Sequence, residues 1–392
     1  MGKKAVCISC FHYYENRIKL IEEYLRNHGY QCTYITSDFD HIEKKVFSFK
    51  QQHAIQISTR PYCRNLSAAR LISHYLFSRD AFRQVETIDP DLLFVMVPPN
   101  SIAKFAAKYK KKHSKVRLIL DLYDLWPETF PNGKAKRLLA APFALWRRVR
   151  DRGLNAADLI TTECNLYQKV LQRQLGGKPT GVLYLCRSCA TCAKLPDALS
   201  TKELNLCYLG SINNIIDIPT IAALLGEIAK LRPVKLHIIG DGESRDGLID
   251  CAENAGAEVI FHGKIYDAAE KQKIFDICSF GINIMKASVC VGLTMKSLDY
   301  FAGGLPILNT IGGDTYELVE KRKIGLNVCR EDIRRTAVLA AGVSVEENLQ
   351  MRQNTLGVFN EIFSKEAFCA QLDRLLGKMQ KKESNQWNAK AK

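Results

Sequence analysis

The sequence predicts an α/β protein built from two doubly wound parallel-sheet domains. Short apolar runs alternate with amphipathic stretches through the first half, the alternation weakens across residues 187–201, and it then resumes. Strands that alternate with helices of this length indicate right-handed βαβ units and therefore parallel sheets. The length of 392 residues agrees with two or three domains.

Seven strands are predicted in the first half, with helical stretches between them. The stretch Asn16–Asn27 carries apolar residues at near-helical spacing and is followed by Gly29, a suitable C-terminal stop. It predicts the first helix. The strands are predicted at Ala5–Ser9, Gln31–Thr36, Ala54–Ser58, Asp91–Val97, Val116–Leu120, Asp158–Thr162 and Gly181–Leu185.

The second half repeats this rhythm. Its predicted strands are Leu204–Leu209, Val234–Gly240, Glu258–His262, Phe280–Ile284, Leu305–Leu308 and Gly325–Val328. Its predicted helices are Ile218–Lys230, Arg245–Ala255, Ala268–Ile277 and Lys296–Ala302. We expect a first domain at residues 1–190, a second at 200–360, a C-terminal helix at 361–380 that crosses back to the first domain, and a disordered tail at 381–392.

The positive charge is confined to the first half. The chain has 56 Lys+Arg and 41 Asp+Glu, a formal net charge of +15. Residues 1–200 contain 32 basic and 17 acidic residues, whereas residues 201–392 contain 24 of each. Such a surface suits an anionic partner of the first domain, either nucleic acid, an anionic membrane or a phosphorylated substrate; a merely solvated basic face is the alternative.

Membrane-spanning and metal-binding classes find little support. No run approaches the roughly 18 apolar residues of a membrane span, and we expect a chain that neither crosses a membrane nor is exported. The 14 cysteines are then expected to be reduced. Cys186, Cys189 and Cys192 have metal-ligand spacing but lack a second ligand pair nearby, so we expect no metal.

Two segments of the second half suit a nucleotide ligand. Gly240-Asp241-Gly242-Glu243 follows a predicted strand and precedes a helix, where small residues admit close backbone contact with a phosphate, although they also serve tight turns. Further on, Lys296 and Asp299 lie three residues apart on one helical face. Lys can neutralise a diphosphate and Asp can accept from ribose hydroxyls; the alternative is a surface ion pair.

Polar and aromatic residues follow three strands of the first half. Asp124, Trp126 and Glu128 follow the strand Val116–Leu120, at the edge where α/β sheets bind substrates, and an aromatic ring with carboxylates suits sugar hydroxyls. Helix capping is the alternative for the carboxylates. Asn100 follows the preceding strand, and the first strand is followed by His12, Tyr14, Asn16 and Arg17, of which His12 alone is more often structural.

Together these motifs resemble the family 4 glycosyltransferases, which are retaining sugar-nucleotide enzymes of GT-B architecture. The resemblance spans nearly the whole chain. It is carried by Tyr208-Leu-Gly210, by Ile239-Gly-Asp-Gly-Glu243, by Lys296-Ser-Leu-Asp299-Tyr-Phe-Ala-Gly-Gly-Leu-Pro306-Ile and by Asp124-Leu-Trp-Pro-Glu128. The last segment resembles the branch that builds bacterial capsule, exopolysaccharide and O-antigen repeat units on a lipid carrier. The family's Glu-x7-Glu element falls on Val291 and Asp299, so the first acid is absent.

The resemblance implies transfer of a sugar from a nucleotide sugar to a polyprenyl-diphosphate-linked acceptor, with retention and without a metal, by a peripheral protein on the inner face of a bacterial plasma membrane. The predicted catalytic residues are Lys296, Asp124, Glu128 and His12. The predicted donor contacts are Gly210, Ser211, Gly240, Asp241, Gly242, Glu243, Thr294, Met295, Lys296, Ser297 and Asp299. The predicted acceptor contacts are Tyr14, Asn16, Arg17, Asn100 and Trp126.

Three other classes of protein are the alternatives to a glycosyltransferase. A catalytically weak or inactive relative that acts as a binding subunit is compatible with the missing acid. A nicotinamide-dependent oxidoreductase would need a complete Gly-rich fingerprint after the first strand, where this chain has Cys7-Ile-Ser-Cys10-Phe-His12. A nucleic-acid-binding protein is suggested by the charge alone, without a recognition motif.

Overall fold

A computed structural model describes residues 2–12, 15–48, 53–130, 134–187, 195–196 and 199–390. Contacts divide the chain into two compact units, which are residues 1–184 with 369–392 (unit 1) and residues 185–368 (unit 2). Unit 1 takes in part of the last helix, whose role in crossing back to the first domain is the sequence expectation. No helix within the described ranges combines the length and apolar character that crossing a membrane requires.

Unit 1 contains a seven-stranded parallel sheet in the order β5-β2-β1-β6-β7-β8-β9. Its strands are β1 (Lys3–Ile8), β2 (Tyr30–Ser37), β5 (Ala54–Ile57), β6 (Leu92–Val97), β7 (Arg117–Leu122), β8 (Leu159–Thr162) and β9 (Thr180–Val182), and β3 (Phe39–Asp40) and β4 (Lys45–Val46) form a small antiparallel hairpin. Its helices are α1 (Glu15–Asn27), α2 (Ala68–Ile88), α3 (Asn100–Lys112), α4 (Lys134–Leu138), α5 (Ala140–Leu154), α6 (Asn165–Val170) and α7 (Gln172–Leu175).

Unit 2 contains a six-stranded parallel sheet in the order β12-β11-β10-β13-β14-β15. Its strands are β10 (Leu204–Leu209), β11 (Val234–Ile239), β12 (Glu258–Gly263), β13 (Phe280–Asn283), β14 (Ile307–Asn309) and β15 (Gly325–Asn327). Its helices are α8 (Ile218–Ala229), α9 (Arg245–Asn254), α10 (Ala268–Ile277), α11 (Met295–Ala302), α12 (Asp314–Arg322), α13 (Ile333–Gly342) and α14 (Val345–Val358). The predicted fold class of two doubly wound parallel sheets is confirmed.

The sheets are buried because helices cover their faces, and the central strands are accordingly apolar on both sides. Every residue of β6 and β10 is buried. Each unit has its own apolar core, built in unit 1 around the central strands with α2 and α3 and in unit 2 around β10 with α8. The carboxyl ends of all strands in one parallel sheet meet at one edge, where ligands of such folds bind.

The C-terminal segment differs in detail from the expected single helix. A π-helical turn at Phe359–Phe363 follows α14, and the chain then breaks at Ser364, whose hydroxyl caps α15 (Lys365–Lys390) by accepting from the amide of Ala367 at 3.1 Å. Helix α15 continues through residues 381–390, where the sequence was expected to be disordered. Lys, Glu, Gln and Ala favour helix in this stretch, which explains the longer element.

Candidate functional site

A cavity of about 670 Å³ lies at the carboxyl edge of the unit 2 sheet. It opens beside the end of β10 and the start of α11, and a volume of this size accommodates a nucleotide-sized ligand. The walls combine backbone of the strand-end loops, a few apolar side chains and three basic side chains. The predicted donor residues that line it are Gly210, Ser211, Thr294, Met295, Lys296 and Asp299.

Lys296 lies in the first turn of α11 and is mostly buried. Its Nζ lies 4.6 Å from the centroid of the Tyr208 ring and 3.5 Å from the Tyr208 hydroxyl oxygen. No carboxylate in the described part of the chain forms an ion pair with it. Burial lowers the pKa of Lys296 to about 8. A cation that is desolvated and held against an aromatic ring without a counter-ion is well placed to receive an anionic ligand.

Asp299 forms its ion pair with Arg187, a residue that is not among the predicted donor contacts. Nη2 of Arg187 lies 3.1 Å from Oδ2 of Asp299, and both side chains line the cavity. The alternative pair between Asp299 and Lys296 is absent among the described contacts. The cavity therefore contains two separate cations near one carboxylate, and Nε of Arg187 is buried without a hydrogen-bond partner.

The N-terminus of α11 is fixed by side chains that do not all reach the cavity. Thr294 caps the helix, with its hydroxyl accepting from the amide of Ser297 at 3.2 Å. Ser297 is fully buried, and its hydroxyl accepts from the amide of Asn283 at 3.2 Å. Of the predicted donor contacts, Ser297 therefore acts on the orientation of α11 and does not line the cavity. The positive end of the helix dipole adds to the charge of Lys296 there.

The Gly240–Glu243 segment does not line this cavity. A Cβ on Gly240 would lie 2.0 Å from the carbonyl oxygen of Gly210, and one on Gly242 would lie 2.3 Å from that of Ile212. These glycines are therefore required by the close approach of two strand-end loops, which is the tight-turn alternative. Asp241 accepts from its neighbouring amide at 2.8 Å and Glu243 is exposed.

The carboxyl edge of the unit 1 sheet brings together Asp124, Trp126 and Asn100. The amide nitrogen of Asn100 donates to the backbone oxygens of Trp126 and Trp146 at 3.3 Å each. Asp124 accepts from the Thr129 hydroxyl at 3.1 Å, and its burial raises its pKa. A carboxyl group with a raised pKa at a substrate-binding edge keeps Asp124 as a candidate acid or base.

Glu128 has a different environment. Its carboxylate binds the fully buried Arg150 through two hydrogen bonds, Nη1 to Oε2 at 2.9 Å and Nη2 to Oε1 at 2.7 Å. Arg150 also contacts Asp151 at 2.8 Å. Both oxygens of Glu128 are thus engaged, because the carboxylate neutralises a buried guanidinium between the β7 loop and α5. This pairing gives Glu128 a role in holding Arg150, and its catalytic role stays a prediction.

We therefore expect Glu128→Gln to act on stability and Asp124→Asn to act on turnover. The glutamine removes one of the two charges facing Arg150, which should cost about 1.5–3 kcal/mol in the free energy of unfolding. Sugar transfer per folded molecule should remain within about threefold of wild type, whereas loss of an acid or base costs about 10²- to 10⁴-fold. Urea unfolding and initial-rate assays on both variants separate the two; an inactive but stable Glu128→Gln protein would support its catalytic role.

Arg17 and His12 follow β1 in the chain, and each contacts an acidic side chain. The guanidinium of Arg17 binds the buried carboxylate of Asp121 through Nε at 2.8 Å and Nη2 at 2.9 Å, and donates to the carbonyl oxygens of Leu183 and Tyr184. These contacts link α1 to β7, and the acceptor role of Arg17 stays a prediction. His12 lies 3.4 Å from Asp40 and packs on Phe47.

Two of the predicted acceptor residues are less informative. Asn16 is exposed in the first turn of α1. Tyr14 lies outside the described residues, as do Cys189 and Cys192 of the cysteine cluster. Within the described ranges, no group of three or more His, Cys, Asp or Glu side chains has an arrangement that would hold a metal ion.

A row of asparagines at the carboxyl edge of unit 2 was also missed. Asn283, Asn309 and Asn327 end three neighbouring strands and occupy paired register positions. Nδ2 of Asn283 donates to Oδ1 of Asn309 at 2.9 Å, and Nδ2 of Asn309 donates to Oδ1 of Asn327 at 2.8 Å. Asn283 and Asn327 lie inside predicted strands, but Asn309 lies one residue beyond the predicted strand Leu305–Leu308, so the sequence did not show the row.

Comparison with known families and structures agrees with this geometry. Residues 203–343 match the family model described as Glycosyl transferases group 1. This segment contains Lys296, Asp299 and most of the cavity wall. Comparison with curated protein sequences gives no significant match.

Solved structures resemble the chain over nearly its full length. The complex of Anabaena HepE with UDP has a TM-score of 0.69 at 15% identity, covering 96% of this chain and 100% of that one. The lipopolysaccharide outer core galactosyltransferase WaaB gives 0.62 at 14% identity over 96% and 99%. WaaG, a glycosyltransferase involved in lipopolysaccharide biosynthesis, gives 0.59 at 11% identity over 95% and 98%. These likenesses confirm the expected GT-B class of fold.

Proposed function

We propose that this protein is a retaining glycosyltransferase that moves a sugar from a nucleotide-sugar donor to a polyprenyl-diphosphate-linked acceptor in the synthesis of a bacterial surface polysaccharide. The observation that carries the donor half is the unit 2 cavity, in which Lys296, with no ion pair among the described residues, and the N-terminus of α11 converge. Most of its wall lies within the segment that matches the group 1 glycosyl transferases. HepE, a neighbour in fold, is described in complex with UDP-glucose.

The cavity suggests how the donor is activated. Lys296 and the first amides of α11 stabilise the diphosphate as negative charge develops on its leaving oxygen, and no metal is needed where a cation is already fixed. Asp299 accepts from the ribose hydroxyls after a change of partner from Arg187, whose guanidinium is then available to the diphosphate. Asp124, with its raised pKa, receives the proton of the attacking acceptor hydroxyl.

The charge distribution supports docking of unit 1 on an anionic membrane surface. Residues 100–117 and 130–149 contain 12 Lys and Arg and no Asp or Glu. The helices in these segments adjoin one another, because α3 packs on α5. Leu138 and Leu145 are 84% and 66% exposed among them. Each basic residue near an anionic leaflet contributes about 1 kcal/mol, so several suffice for reversible binding at the inner face of the plasma membrane.

The function is tested with a panel of nucleotide sugars. We expect one uridine or guanosine diphosphate sugar to raise the melting temperature of the protein, since a ligand that binds only the folded state stabilises it by mass action. The same donor should then label a polyprenyl-diphosphate-linked glycan in detergent, and the product should keep the anomeric configuration of the donor. Absence of a melting-temperature shift with every nucleotide would refute the proposal, and donor binding without transfer would favour an inactive relative.

A further inference from the structure

A second group of cations lies at the carboxyl edge of the unit 1 sheet. Arg70 belongs to the first turn of α2, which follows β5, and Lys44 belongs to the turn between β3 and β4, which follows β2. Both contact Asn65: Nη1 of Arg70 donates to its backbone oxygen at 3.0 Å, and Nζ of Lys44 donates to its side-chain oxygen. One residue therefore links the two cations.

Asp40 lies near Lys44 and Asp124 lies near Arg70, but neither carboxylate is in ion-pair contact with its neighbouring cation. No described acidic side chain forms an ion pair with Arg70 or Lys44, and Nε of Arg70 is buried without a hydrogen-bond partner. The carboxylates near them are engaged elsewhere. Asp40 accepts from the amides of Ile42 and Glu43 at 2.7 and 2.8 Å, and Asp124 accepts from the Thr129 hydroxyl.

The positive charges of Arg70 and Lys44 affect the pKa values of neighbouring side chains. Burial, followed by the charges of Arg70 and Lys44, lowers the pKa of His41 to about 3, and the pKa of the buried His74 is lowered by burial and by Arg70. Both imidazoles are neutral at physiological pH, so they do not change the net charge of the site. Lys44 itself has a pKa lowered by burial and by Arg70. Like charges held together destabilise one another unless an anion joins them.

We infer that Arg70 and Lys44, with the N-terminus of α2, form a binding site for a phosphate or diphosphate group. Helix α2 has no acidic residue in its first turn, and its amide dipoles favour an anion there. The guanidinium supplies directional donors and the ammonium a point charge, a combination suited to phosphate oxygens.

The aromatic rings beside the two cations indicate the kind of group that is attached to the phosphate. Arg70 stacks over the Trp126 ring at 5.7 Å, and Lys44 lies over the Tyr62 ring at 5.0 Å. A phosphate bound by Arg70 would lie near Trp126 and Asp124, and so would a sugar attached to it. On the proposed function, on which this identification rests, the group is the diphosphate of the lipid-linked acceptor.

The site is tested with inorganic pyrophosphate on the full chain carrying Lys296→Met, so that the donor cavity lacks its lysine. Calorimetric titration at low salt should show binding that Arg70→Gln and Lys44→Gln each weaken by about tenfold or more. Arg79→Gln is the matched control, because it lies on the same helix and already pairs with Asp80 at 2.9 Å. Unchanged affinity in Arg70→Gln and Lys44→Gln, or no binding to the parent, would overturn the inference. Circular dichroism and melting temperature confirm folding, and Lys44→Gln alone decides if Arg70→Gln fails to fold.

The source of the phosphate is resolved with vesicles. Phosphatidylcholine vesicles that carry a polyprenyl diphosphate should lose binding to Arg70→Gln, whereas phosphatidylglycerol vesicles should bind it as they bind the parent. An equal loss on both would indicate general surface charge and contradict the site. Nucleotide-sugar binding, measured with Lys296 intact, should be unchanged by Arg70→Gln. A protein that binds pyrophosphate through Arg70 but binds no nucleotide would keep this site and refute the proposed function.

Discussion

Replacing Lys296 with methionine is expected to lower kcat/KM for the nucleotide sugar by about 10²- to 10³-fold without loss of folding stability. The side chain lines the cavity and is seated against Tyr208, and on the proposed function it stabilises the charge that develops on the departing diphosphate. Removal of one fixed donor to a developing anion has effects of this size. Lys273→Met on α10 is the matched control, since its side chain is exposed and does not line the cavity.

We expect Lys296→Met to raise the free energy of unfolding while it lowers the activity. The pKa of Lys296 is lowered from 10.5 to about 8, so the unfolded chain binds more protons than the folded one between those pH values. The free energy of unfolding therefore rises with pH through this window, and below about pH 8 the full cost of the buried charge is present. Lys296→Met removes that cost, and we expect it to unfold at a higher urea concentration than wild type at pH 7. A large loss of stability would assign Lys296 a structural role instead.

The same pKa predicts how donor affinity depends on pH. A bound diphosphate favours the charged form of Lys296, so the complex takes up a proton when the pH is above about 8. Affinity should fall by about tenfold per pH unit from there until the higher pKa of the complex is reached. Lys296→Met should lack this slope, which titration of nucleotide binding from pH 7 to pH 10 will measure.

The second large effect is expected at Asp121, whose replacement with asparagine should cost about 3–5 kcal/mol in the free energy of unfolding of unit 1. Asp121 is fully buried and accepts from Arg17 twice and from the Thr161 hydroxyl at 2.7 Å. Asparagine removes the carboxylate bound to the buried guanidinium of Arg17, on which the charge of Glu163 also acts, and breaking a buried pair from one side has a cost of this order. Tryptophan fluorescence reports the transition, because Trp126 and Trp146 lie in unit 1.

Two further variants test the reasoning for Asp121. Glu86→Gln removes a partner from the exposed pairs with Lys112 and His113, and should change stability by less than about 1 kcal/mol. The double substitution Arg17→Met with Asp121→Leu removes both charges and should recover most of the loss. If the double variant were as unstable as Asp121→Asn, packing and not charge would account for the effect. A stable Asp121→Asn protein with altered acceptor use would instead support the acceptor role of Arg17.

Local patterns were sufficient to predict the fold, because each βαβ unit is encoded by contiguous apolar runs and their spacing. They also located Lys296 and Asp299, since a turn of small residues before a short helix indicates a ligand-facing N-terminus. Pairings across long sequence separations were not accessible. Arg187 meets Asp299 across 112 residues, within a stretch that has no periodic pattern. The engagement of Glu128 by Arg150 was hidden for the same reason, because one carboxylate in a loop gives no sign of its distant partner.

The asparagine row of unit 2 has a consequence for the speed and selectivity of donor capture. Asn283 joins the row to Ser297, so the ends of three strands and the beginning of α11 form one hydrogen-bonded frame. The wall that carries Lys296 is then already ordered when a ligand binds. The conformational entropy of that wall is lost during folding, and ligand binding does not have to offset it. On the proposed function, we expect a wall held in this way to discriminate among donors by shape.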